Sequence, residues 1–335
     1  MLDKVAVIGA GSWGTTVAAL AATSAPTVLW ARRPALAHSL QREHQNPDYL
    51  PDVVLPDALA ATASLEEAVL DSALVIMAVP SHGFRTVLSD LAGFLAPGAP
   101  VLSLAKGLEQ GSHLRMTEVI AQVVPDHLAG VLTGPNLARE IAAGQPAATV
   151  VAMTDLSMAR QVQEVLRSPT FRVYTNPDVV GCEMAGATKN VLAIAAGILQ
   201  GLGLGDSSLA ALVTRGLAEL GRLGVALGGE RITIAGLAGV GDLVATCTSS
   251  LSRNRMVGEQ LGRGRSLEEI MAEMRMVAEG VKSARPLLEL AAAHGVEMPI
   301  GEQVAAVLEG TTSPADAIRV LMSRSAKPEF DGIEP

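Results

Sequence analysis

Three glycines near the start of the chain have the spacing of a loop that binds a dinucleotide. Gly9, Gly11 and Gly14 follow a short run of β-branched residues and precede an alanine-rich stretch. In such a strand–loop–helix unit the first glycine permits a tight turn, the second lets the backbone approach a pyrophosphate, and the third allows the helix to pack closely on the strand. The helix N-terminus then offers N–H groups to the phosphates. The pattern predicts a dinucleotide site, with an ordinary glycine turn as the plainer alternative.

Two arginines stand where the second strand of such a domain usually ends in an acidic residue. That residue binds the ribose 2′-hydroxyl of NAD(H), whereas this chain reads Trp30-Ala31-Arg32-Arg33. Guanidinium groups can hold a 2′-phosphate instead. The sequence therefore favours NADP(H) as the cofactor, with NAD(H) as the second choice. A solvated basic loop is the alternative for these two residues.

A lysine inside an apolar helical stretch is the strongest candidate for proton transfer. Lys189 follows the small residues Ala185, Gly186 and Ala187, which leave one helix face open to a backbone or a ligand. Lysine is rarely buried without a partner, and Asp242, in a glycine-rich turn, supplies a carboxylate. Such a lysine can exchange a proton with an alcohol. A lysine that extends to solvent and an aspartate that closes a turn are the structural alternatives.

Further polar residues follow the ends of predicted strands, where ligands bind in an open α/β sheet. His82 follows the third strand, Lys106 the fourth, and Gly134 and Asn136 the next one. Later in the chain Ser252-Arg253-Asn254 forms a basic polar cluster that suits a phosphate. A solvated helix start is its alternative. For His82 a chemical role is the weaker of the two interpretations.

These residues require a sheet followed by helices. Short apolar runs alternate with helical patterns in the first half, which is typical of a parallel sheet covered on both faces. Right-handed crossovers then predict a doubly wound, Rossmann-like sheet. After Asn176-Pro177 the patterns are helical. We predict an NAD(P)-binding domain over residues 1–178 and an all-helical domain over residues 179–335. The predicted strands are Val5–Ile8, Thr27–Trp30, Leu74–Val79, Pro100–Leu104, Val131–Thr133, Ala148–Met153 and Phe171–Tyr174.

Composition excludes several classes of protein. The 335 residues are 49% hydrophobic and carry 25 basic and 34 acidic side chains, a net charge of −9. This chain can bury a large core, divided between two domains, and is not intrinsically disordered. The negative charge argues against nucleic acid as a partner. The apolar stretch Val191–Leu199 is too short to span a bilayer, the N-terminus does not resemble a signal peptide, and two cysteines fit no disulfide or zinc pattern. We expect a cytoplasmic protein without membrane insertion or a metal site.

Motifs along the whole chain resemble the NAD(P)-dependent sn-glycerol-3-phosphate dehydrogenase family. They occur in family order: GAGSWGT at 9–15, AVPSH at 78–82, AKGLE at 105–109, GPNLAREIA at 134–142, KN at 189–190, GVGDLVATCTSSLSRN at 239–254, AEGV at 278–281 and MPI at 298–300. The resemblance implies a Rossmann-like domain, a helical domain, and catalysis in the cleft between them. It also implies a homodimer that interconverts dihydroxyacetone phosphate and sn-glycerol 3-phosphate, and so supplies glycerol 3-phosphate for glycerophospholipid synthesis.

The resemblance implies roles for individual residues. It assigns Lys189 as the general acid/base and Asp242 as its partner. The residues it assigns to the cofactor are Gly9, Gly11, Ser12, Trp13, Gly14, Arg32, Arg33, Lys106, Ala138, Arg253, Val277 and Glu279. Those it assigns to the substrate are Lys106, Gly134, Asn136, Lys189, Asp242, Ser252, Arg253 and Asn254. Asn136 stands where many bacterial members carry serine or threonine.

Two alternatives remain from the sequence. A 3-hydroxyacid dehydrogenase or ketopantoate reductase shares the sheet, the helical domain and a lysine on a helix, but it recognises a carboxylate. The basic cluster Ser252–Asn254 favours a phosphorylated substrate over that reading. The other alternative is an inactive regulator that senses NADP(H), and the presence of both Lys189 and Asp242 argues against it.

Overall fold

The computed structural model describes residues 2–274, 278–326 and 328–329, which form two compact units. The first contains the residues up to Ala105 and Leu114–Val179. The second contains Lys106–His113 and the residues from Val180 onward. The short segment Lys106–His113 therefore belongs with the helical part of the chain, although it directly follows a strand of the first unit.

The described strands all lie in the first unit. They are β1 (Val5–Ile8), β2 (Thr27–Trp30), β3 (Gln45–Asn46), β4 (Leu50–Val54), β5 (Leu59–Thr62), β6 (Leu74–Met77), β7 (Val101–Ser103), β8 (Ala129–Thr133), β9 (Ala147–Met153) and β10 (Phe171–Asn176). Eight of them form one sheet in the order β10-β9-β8-β7-β6-β1-β2-β5, and β3 and β4 form a separate hairpin. Every strand that the sequence predicts is present, with ends that shift by up to two residues. The strands β3, β4 and β5 were not predicted.

The sheet is mixed, so the prediction of an entirely parallel sheet is wrong at one place. Strand β9 runs antiparallel to β8, while the other neighbouring pairs of this sheet are parallel. The connection between β8 and β9 contains only the five-residue helix Ala138–Ala142. Two neighbouring strands that run parallel need a crossover connection that brings the chain back to the end of the sheet where the first strand began, usually through a longer helix. This connection instead turns the chain back at the same edge.

Alternation along the central strands gives the sheet two buried faces. Val5 and Val7 of β1 pack into one hydrophobic cluster, whereas Ala6 and Ile8 pack into another. Successive strand residues point to opposite faces, so an uninterrupted apolar run is expected where helices cover both. The helices of this unit are α1 (Ser12–Ala22), α2 (Pro34–Glu43), α3 (Leu65–Val69), α4 (Ser81–Leu91), α5 (Met116–Val123), α6 (Ala138–Ala142) and α7 (Leu156–Leu166), with a 3₁₀ turn at Ala92–Phe94.

Apart from Lys106–His113 and the connecting loops, the described residues of the second unit are helical. Its helices are α8 (Val179–Gly201), α9 (Asp206–Ala226), α10 (Arg231–Ile234), α11 (Asp242–Thr248), α12 (Arg253–Gly262), α13 (Leu267–Glu273), α14 (Glu279–Ala293), α15 (Pro299–Leu308) and α16 (Pro314–Met322), with a π-helical turn at Leu237–Gly241. Two helical stretches, Val179–Gly201 and Arg231–Thr248, are long and apolar enough to cross a membrane. The first is 94% buried and forms the core of this unit.

Glycines bring α8 and α12 into backbone contact. A Cβ on Gly197 of α8 would lie 2.0 Å from the carbonyl oxygen of Arg255, and one on Gly258 of α12 would lie 1.9 Å from that of Ile194. No side chain fits at such distances, so these glycines let the two helices cross closely. The crossing fixes the N-terminus of α12, which carries the basic cluster, beside the helix that carries Lys189.

Candidate active site

The three glycines of the N-terminal loop each meet a different steric demand. Gly9 has φ +123°, and a Cβ there would lie 2.7 Å from the carbonyl oxygen of Ala78. A Cβ on Gly14 would lie 2.0 Å from the carbonyl oxygen of Gly9, whereas a Cβ on Gly11 would meet nothing within 4 Å. Gly9 and Gly14 therefore allow the strand, loop and helix to pack closely, and Gly11 leaves the surface of the loop open. This arrangement fits a diphosphate that approaches the backbone at Gly11.

Helix α1 presents its N-terminus at that opening. Gly11 is its N-cap residue, and no side chain caps the helix there. The helix therefore starts without a side-chain cap, and its dipole favours an anion at this end. The ring of Trp13 packs edge-on against Phe171 with centroids 6.2 Å apart, and its buried Nε1 has no hydrogen-bond partner among the described residues. Ser12 donates a hydrogen bond from Oγ to the carbonyl oxygen of Tyr49, at 2.9 Å.

The segment after β8 lies beside α1 in the same unit. Thr16 donates a hydrogen bond from Oγ1 to the carbonyl oxygen of Ala138 at 3.3 Å, which brings that predicted cofactor residue next to the helix. Gly134 has φ +143°, a conformation that favours glycine. The Oδ1 atom of Asn136 accepts a hydrogen bond from Thr149 Oγ1 at 2.9 Å. The Asn136 side chain is therefore held against β9.

The two arginines that follow β2 are exposed. Arg33 makes an ion pair with Asp48, and its guanidinium lies 6.0 Å from the centroid of the Tyr49 ring. His82, near the start of α4, is exposed as well.

A buried carboxylate with two lysines forms the centre of the second unit. Asp242 Oδ2 lies 2.6 Å from Lys106 Nζ, and Asp242 Oδ1 lies 2.9 Å from Lys189 Nζ. The side chain of Asp242 is 2% exposed, that of Lys189 7% and that of Lys106 12%. Lys189 and Asp242, which the sequence predicts as partners, are thus in direct contact. The second lysine on the same carboxylate was not predicted.

Local structure explains why Asp242 is placed so deeply. It begins α11 directly after the π-helical turn Leu237–Gly241. A Cβ on Gly239 would lie 1.9 Å from the carbonyl oxygen of Ile234, so only glycine fits inside this turn. Turns of this type occur mostly inside α-helices and are frequent at functional sites. The glycine-rich sequence before Asp242 therefore permits this tight turn, and α11 begins at a buried residue.

Thr246 completes this cluster and was missed by the sequence analysis. Its Oγ1 accepts a hydrogen bond from Lys189 Nζ at 2.7 Å and donates one to the carbonyl oxygen of Asp242 at 2.6 Å. Thr246 is four residues after Asp242, so both lie on one face of α11. That spacing is the signal that could have identified it. With Thr246 and Asp242 as acceptors, the Lys189 ammonium is fixed in direction.

Electrostatics in the cluster leave one excess positive charge. Burial, together with the charge of Lys189, lowers the pKa of Lys106 to about 8, and Asp242 opposes this shift. Burial by itself would raise the pKa of Asp242, but the two ammonium groups hold it below its usual value. The carboxylate is therefore ionised, and it neutralises only one of two cations. Such a site suits an anionic substrate and the negative oxygen that develops when a carbonyl is reduced.

A chain of amide hydrogen bonds connects the Lys106–His113 segment with three helices of the second unit. Asn190 donates from Nδ2 to the carbonyl oxygen of Lys106 at 2.8 Å, and Asn254 donates from Nδ2 to Asn190 Oδ1 at 2.8 Å. The backbone N–H of Gly280 donates to Asn254 Oδ1 at 2.9 Å. Both polar atoms of the Asn254 side chain thus bind protein atoms. Asn254 therefore positions these segments, in addition to the substrate contact that the sequence predicts.

The other residues of the basic cluster occupy the first turn of α12. Ser252 is the N-cap, and its Oγ accepts a hydrogen bond from the backbone N–H of Arg255. Arg253 is the exposed first residue of the helix. Glu279 begins α14, and its charge acts on Lys106. Val277, predicted to contact the cofactor, lies outside the described residues.

Both cysteines are buried, and they do not form a disulfide. Burial raises the pKa of the Cys247 thiol to about 12, so it stays protonated beside the lysine cluster. Within the residues that the structure describes, no group of three His, Cys, Asp or Glu side chains could hold a metal ion.

Comparison with protein families matches nearly the whole chain in two parts. Residues 4–159 match the family described as NAD-dependent glycerol-3-phosphate dehydrogenase N-terminus. Residues 178–319 match the family described as NAD-dependent glycerol-3-phosphate dehydrogenase C-terminus.

Individual relatives match over the full length. The chain is 53% identical to a glycerol-3-phosphate dehydrogenase [NAD(P)+] of Thermobifida fusca, over 99% of this chain and 100% of that protein. It is 52% identical to one of Sphingopyxis alaskensis, over 97% and 98%. Among solved structures, glycerol-3-phosphate dehydrogenase from Coxiella burnetii superposes with a TM-score of 0.92 at 37% identity, over 96% of this chain and 99% of that one.

Proposed function

We propose that Lys189 is the general acid/base of this chain, which belongs to the NAD-dependent glycerol-3-phosphate dehydrogenase family. The protein is an NAD(P)-dependent oxidoreductase that interconverts dihydroxyacetone phosphate and sn-glycerol 3-phosphate. The observation that carries the assignment of Lys189 is its buried ion pair with Asp242, which also binds Lys106. Family membership argues against the hydroxyacid and ketopantoate alternatives.

The residues of the first unit fit a nicotinamide dinucleotide. The open backbone at Gly11 and the uncapped start of α1 suit its diphosphate, and steric demands explain Gly9 and Gly14. An NADH or NADPH held by these residues would supply the hydride for the substrate carbonyl. Relatives carry the name [NAD(P)+], which supports both cofactors for this chain. Arg32 and Arg33 favour NADP(H) over NAD(H), since guanidinium groups attract a 2′-phosphate.

Lys189 has two tasks in the reductive direction. Its Nζ ammonium stabilises the negative charge that develops on the substrate oxygen, and it donates the proton that converts this oxygen into a hydroxyl. Thr246 and Asp242 fix the direction of the ammonium through bonds of 2.7 and 2.9 Å. In the oxidative direction the neutral amine accepts the proton from the alcohol. Asp242 orients the lysine in both directions.

The phosphate of the substrate requires separate cations. Lys106 and Arg253 supply these, and Ser252 and Asn254 flank Arg253 at the start of α12. Asp242 is shared between Lys106 and Lys189, so one ammonium charge remains for the substrate. Charged hydrogen bonds to phosphate fix the orientation of the carbonyl. Gly134 and Asn136 are proposed as further substrate contacts.

The wider role follows from the product. We propose that the protein works in the cytoplasm as a homodimer and supplies glycerol 3-phosphate for glycerophospholipid synthesis. The same proposal divides the chain into a cofactor domain over residues 1–178 and a helical substrate domain over residues 179–335, with Lys106–His113 packed in the helical unit.

The direct test of the proposed substrate recognition is a comparison of two ketones. Nicotinamide absorbance is followed with dihydroxyacetone phosphate or with dihydroxyacetone, using NADPH and NADH in turn. We expect efficient turnover of the phosphorylated ketone only. The variant Arg253→Ala should lower its kcat/KM and leave the slow reaction of dihydroxyacetone almost unchanged, because a charged contact to phosphate is lost. Equal losses for both ketones would assign Arg253 to the cofactor or to the fold.

A further inference from the structure

We propose that Asp48 competes with the 2′-phosphate of NADP(H) for Arg33 and so reduces the preference of the protein for NADP(H) over NAD(H). This inference rests on the proposed assignment of Arg33 to the 2′-phosphate. Nothing in the sequence patterns or the comparisons assigns a role to Asp48. Three observations in the first unit support it: an anchored hairpin, an existing ion pair, and the charge of the competing groups.

The hairpin of β3 and β4 is anchored to the glycine loop by one buried amide. Asn46 is fully buried, and its Nδ2 donates hydrogen bonds to the carbonyl oxygen of Ala10 at 3.0 Å and to Thr15 Oγ1 at 2.7 Å. Its Oδ1 accepts a hydrogen bond from the backbone N–H of Tyr49 at 3.2 Å. All polar atoms of this amide are thus used to hold the hairpin turn against the loop and the first helix.

A second contact fixes the other side of the same turn. Ser12 donates from Oγ to the carbonyl oxygen of Tyr49, at 2.9 Å. Asp48 lies between the two anchored residues Asn46 and Tyr49 and directly follows Pro47, whose ring restricts the backbone. The carboxylate of Asp48 is therefore presented from a fixed turn rather than from a loose loop.

The Asp48 carboxylate already binds the guanidinium that is proposed to receive the phosphate. Asp48 and Arg33 form an ion pair, and the Arg33 guanidinium lies above the Tyr49 ring. A 2′-phosphate accepts hydrogen bonds from the same N–H groups as a carboxylate does. A phosphate that binds Arg33 must displace or share Asp48, and the two anions repel each other. The ribose of NAD(H) carries no phosphate there and does not meet this competition.

The expected effect is modest because both side chains are partly exposed. The Arg33 side chain is 54% exposed and that of Asp48 42%. Exposed ion pairs are weak and are screened by salt. We therefore expect a change of about threefold to fivefold in relative affinity, within what one exposed pair provides.

The test measures binding of two nucleotide probes by titration calorimetry at low salt. Adenosine 2′,5′-bisphosphate carries the 2′-phosphate and adenosine 5′-monophosphate does not. The variant Asp48→Asn removes the charge and keeps the shape, so it should tighten the bisphosphate about threefold to fivefold and leave the monophosphate unchanged. Asp52→Asn, at an exposed position of β4, removes an equal charge from a residue that is not the ion-pair partner of Arg33 and is the matched control. It should change neither affinity.

The variant Arg33→Ala separates the inference from the proposal on which it rests. Arg33→Ala should weaken the bisphosphate selectively, and adding Asp48→Asn to it should then give no further gain. If Arg33→Ala has its effect and Asp48→Asn has none, the arginine binds phosphate and the competition by Asp48 is refuted. Equal effects of Asp48→Asn on both probes would also refute it, because the turn would then be displaced. If Arg33→Ala does not distinguish the probes, the assignment of Arg33 itself fails.

Discussion

Lys106 and Lys189 occupy opposite oxygens of one buried carboxylate, at 2.6 and 2.9 Å from Asp242. Two cations on one anion are stable only if burial is compensated by hydrogen bonds, since a buried charge without partners is costly. Lys189 has a second acceptor in Thr246. The ion pair with Asp242 does not fully offset the burial of the Lys106 ammonium, because the pKa of Lys106 is still lowered to about 8. Lys106 is therefore the residue at which the site should respond to pH.

The first prediction concerns this response. Lys106 is charged below a pH of about 8 and loses its proton as the pH rises above that value. Its contact with the substrate phosphate should weaken in the same range. We expect KM for dihydroxyacetone phosphate to rise between about pH 7 and about pH 9.5, with a midpoint near the pKa of Lys106. In Lys106→Arg the guanidinium remains charged, so KM should be higher overall but nearly independent of pH. Identical pH profiles for the two proteins would contradict the assignment.

Among individual residues, those that carry the proposed proton transfer were easier to predict from the sequence than those that support them through hydrogen bonds. Lysine and aspartate in apolar surroundings are conspicuous, so Lys189 and Asp242 could be identified from the sequence. Thr246, Asn190 and Asn46 act through hydrogen bonds to partners that are distant in the chain or one helical turn away. Their residue types are common in ordinary helices and turns, and only the fold reveals which atoms they meet.

At the scale of elements, a carboxylate from one helix holds the start of another. Glu219 of α9 is 2% exposed and accepts hydrogen bonds from the backbone N–H groups of Ile300 at 2.7 Å and Gly301 at 3.2 Å. These are N–H groups of the first turn of α15, which lack partners within their own helix. Burial nevertheless raises the pKa of Glu219 to about 7, against the effect of these two bonds. The connection between α9 and α15 is therefore sensitive to pH.

The second prediction follows from the sign of that shift. Glu219 has a pKa of about 7 in the folded protein and 4.5 as its ordinary value. Between these values the folded state binds more protons than the unfolded state, so this group loses stabilising free energy as the pH rises. The free energy of unfolding of the wild type should fall relative to Glu219→Gln by about 2 kcal/mol from about pH 5 to about pH 7.5. Urea denaturation of both proteins measures the difference, and parallel pH curves would contradict it.

Patterns of residues were sufficient to predict most elements, but not their pairing. The direction of β9 depends on the path of the connection after β8, which contains only a short helix. The hydrophobic periodicity of the sequence does not show that path. The β3–β4 hairpin has too few apolar residues to be recognised as strands, although Asn46-Pro47 marks a turn. The crossing of α8 and α12 was not predicted either. Its glycines are four residues apart on each helix, at Gly197 and Gly201 and at Gly258 and Gly262, a spacing that places them on one helix face.

At the scale of the whole molecule, cofactor binding should stabilise the protein. A ligand that binds only the folded state adds about 2.7 kcal/mol at a concentration of 100 times its Kd. The third prediction is that saturating NADPH raises Tm by several degrees. In Gly11→Asp the added side chain enters open space, because a Cβ there meets nothing within 4 Å. This variant should keep the Tm of the ligand-free wild type and lose the shift, since its carboxylate repels the diphosphate. An unchanged shift would contradict a diphosphate at Gly11.

The central claim is that Lys189 moves the proton that accompanies hydride transfer. The variant Lys189→Met keeps the length and the apolar part of the side chain, and Asp242 keeps its 2.6 Å bond with Lys106, so the fold should survive. Turnover of dihydroxyacetone phosphate, followed by nicotinamide absorbance, should fall by about 10²–10⁴, while the rise in Tm with NADPH should remain. Turnover close to that of the wild type in this folded, cofactor-binding variant would contradict the account.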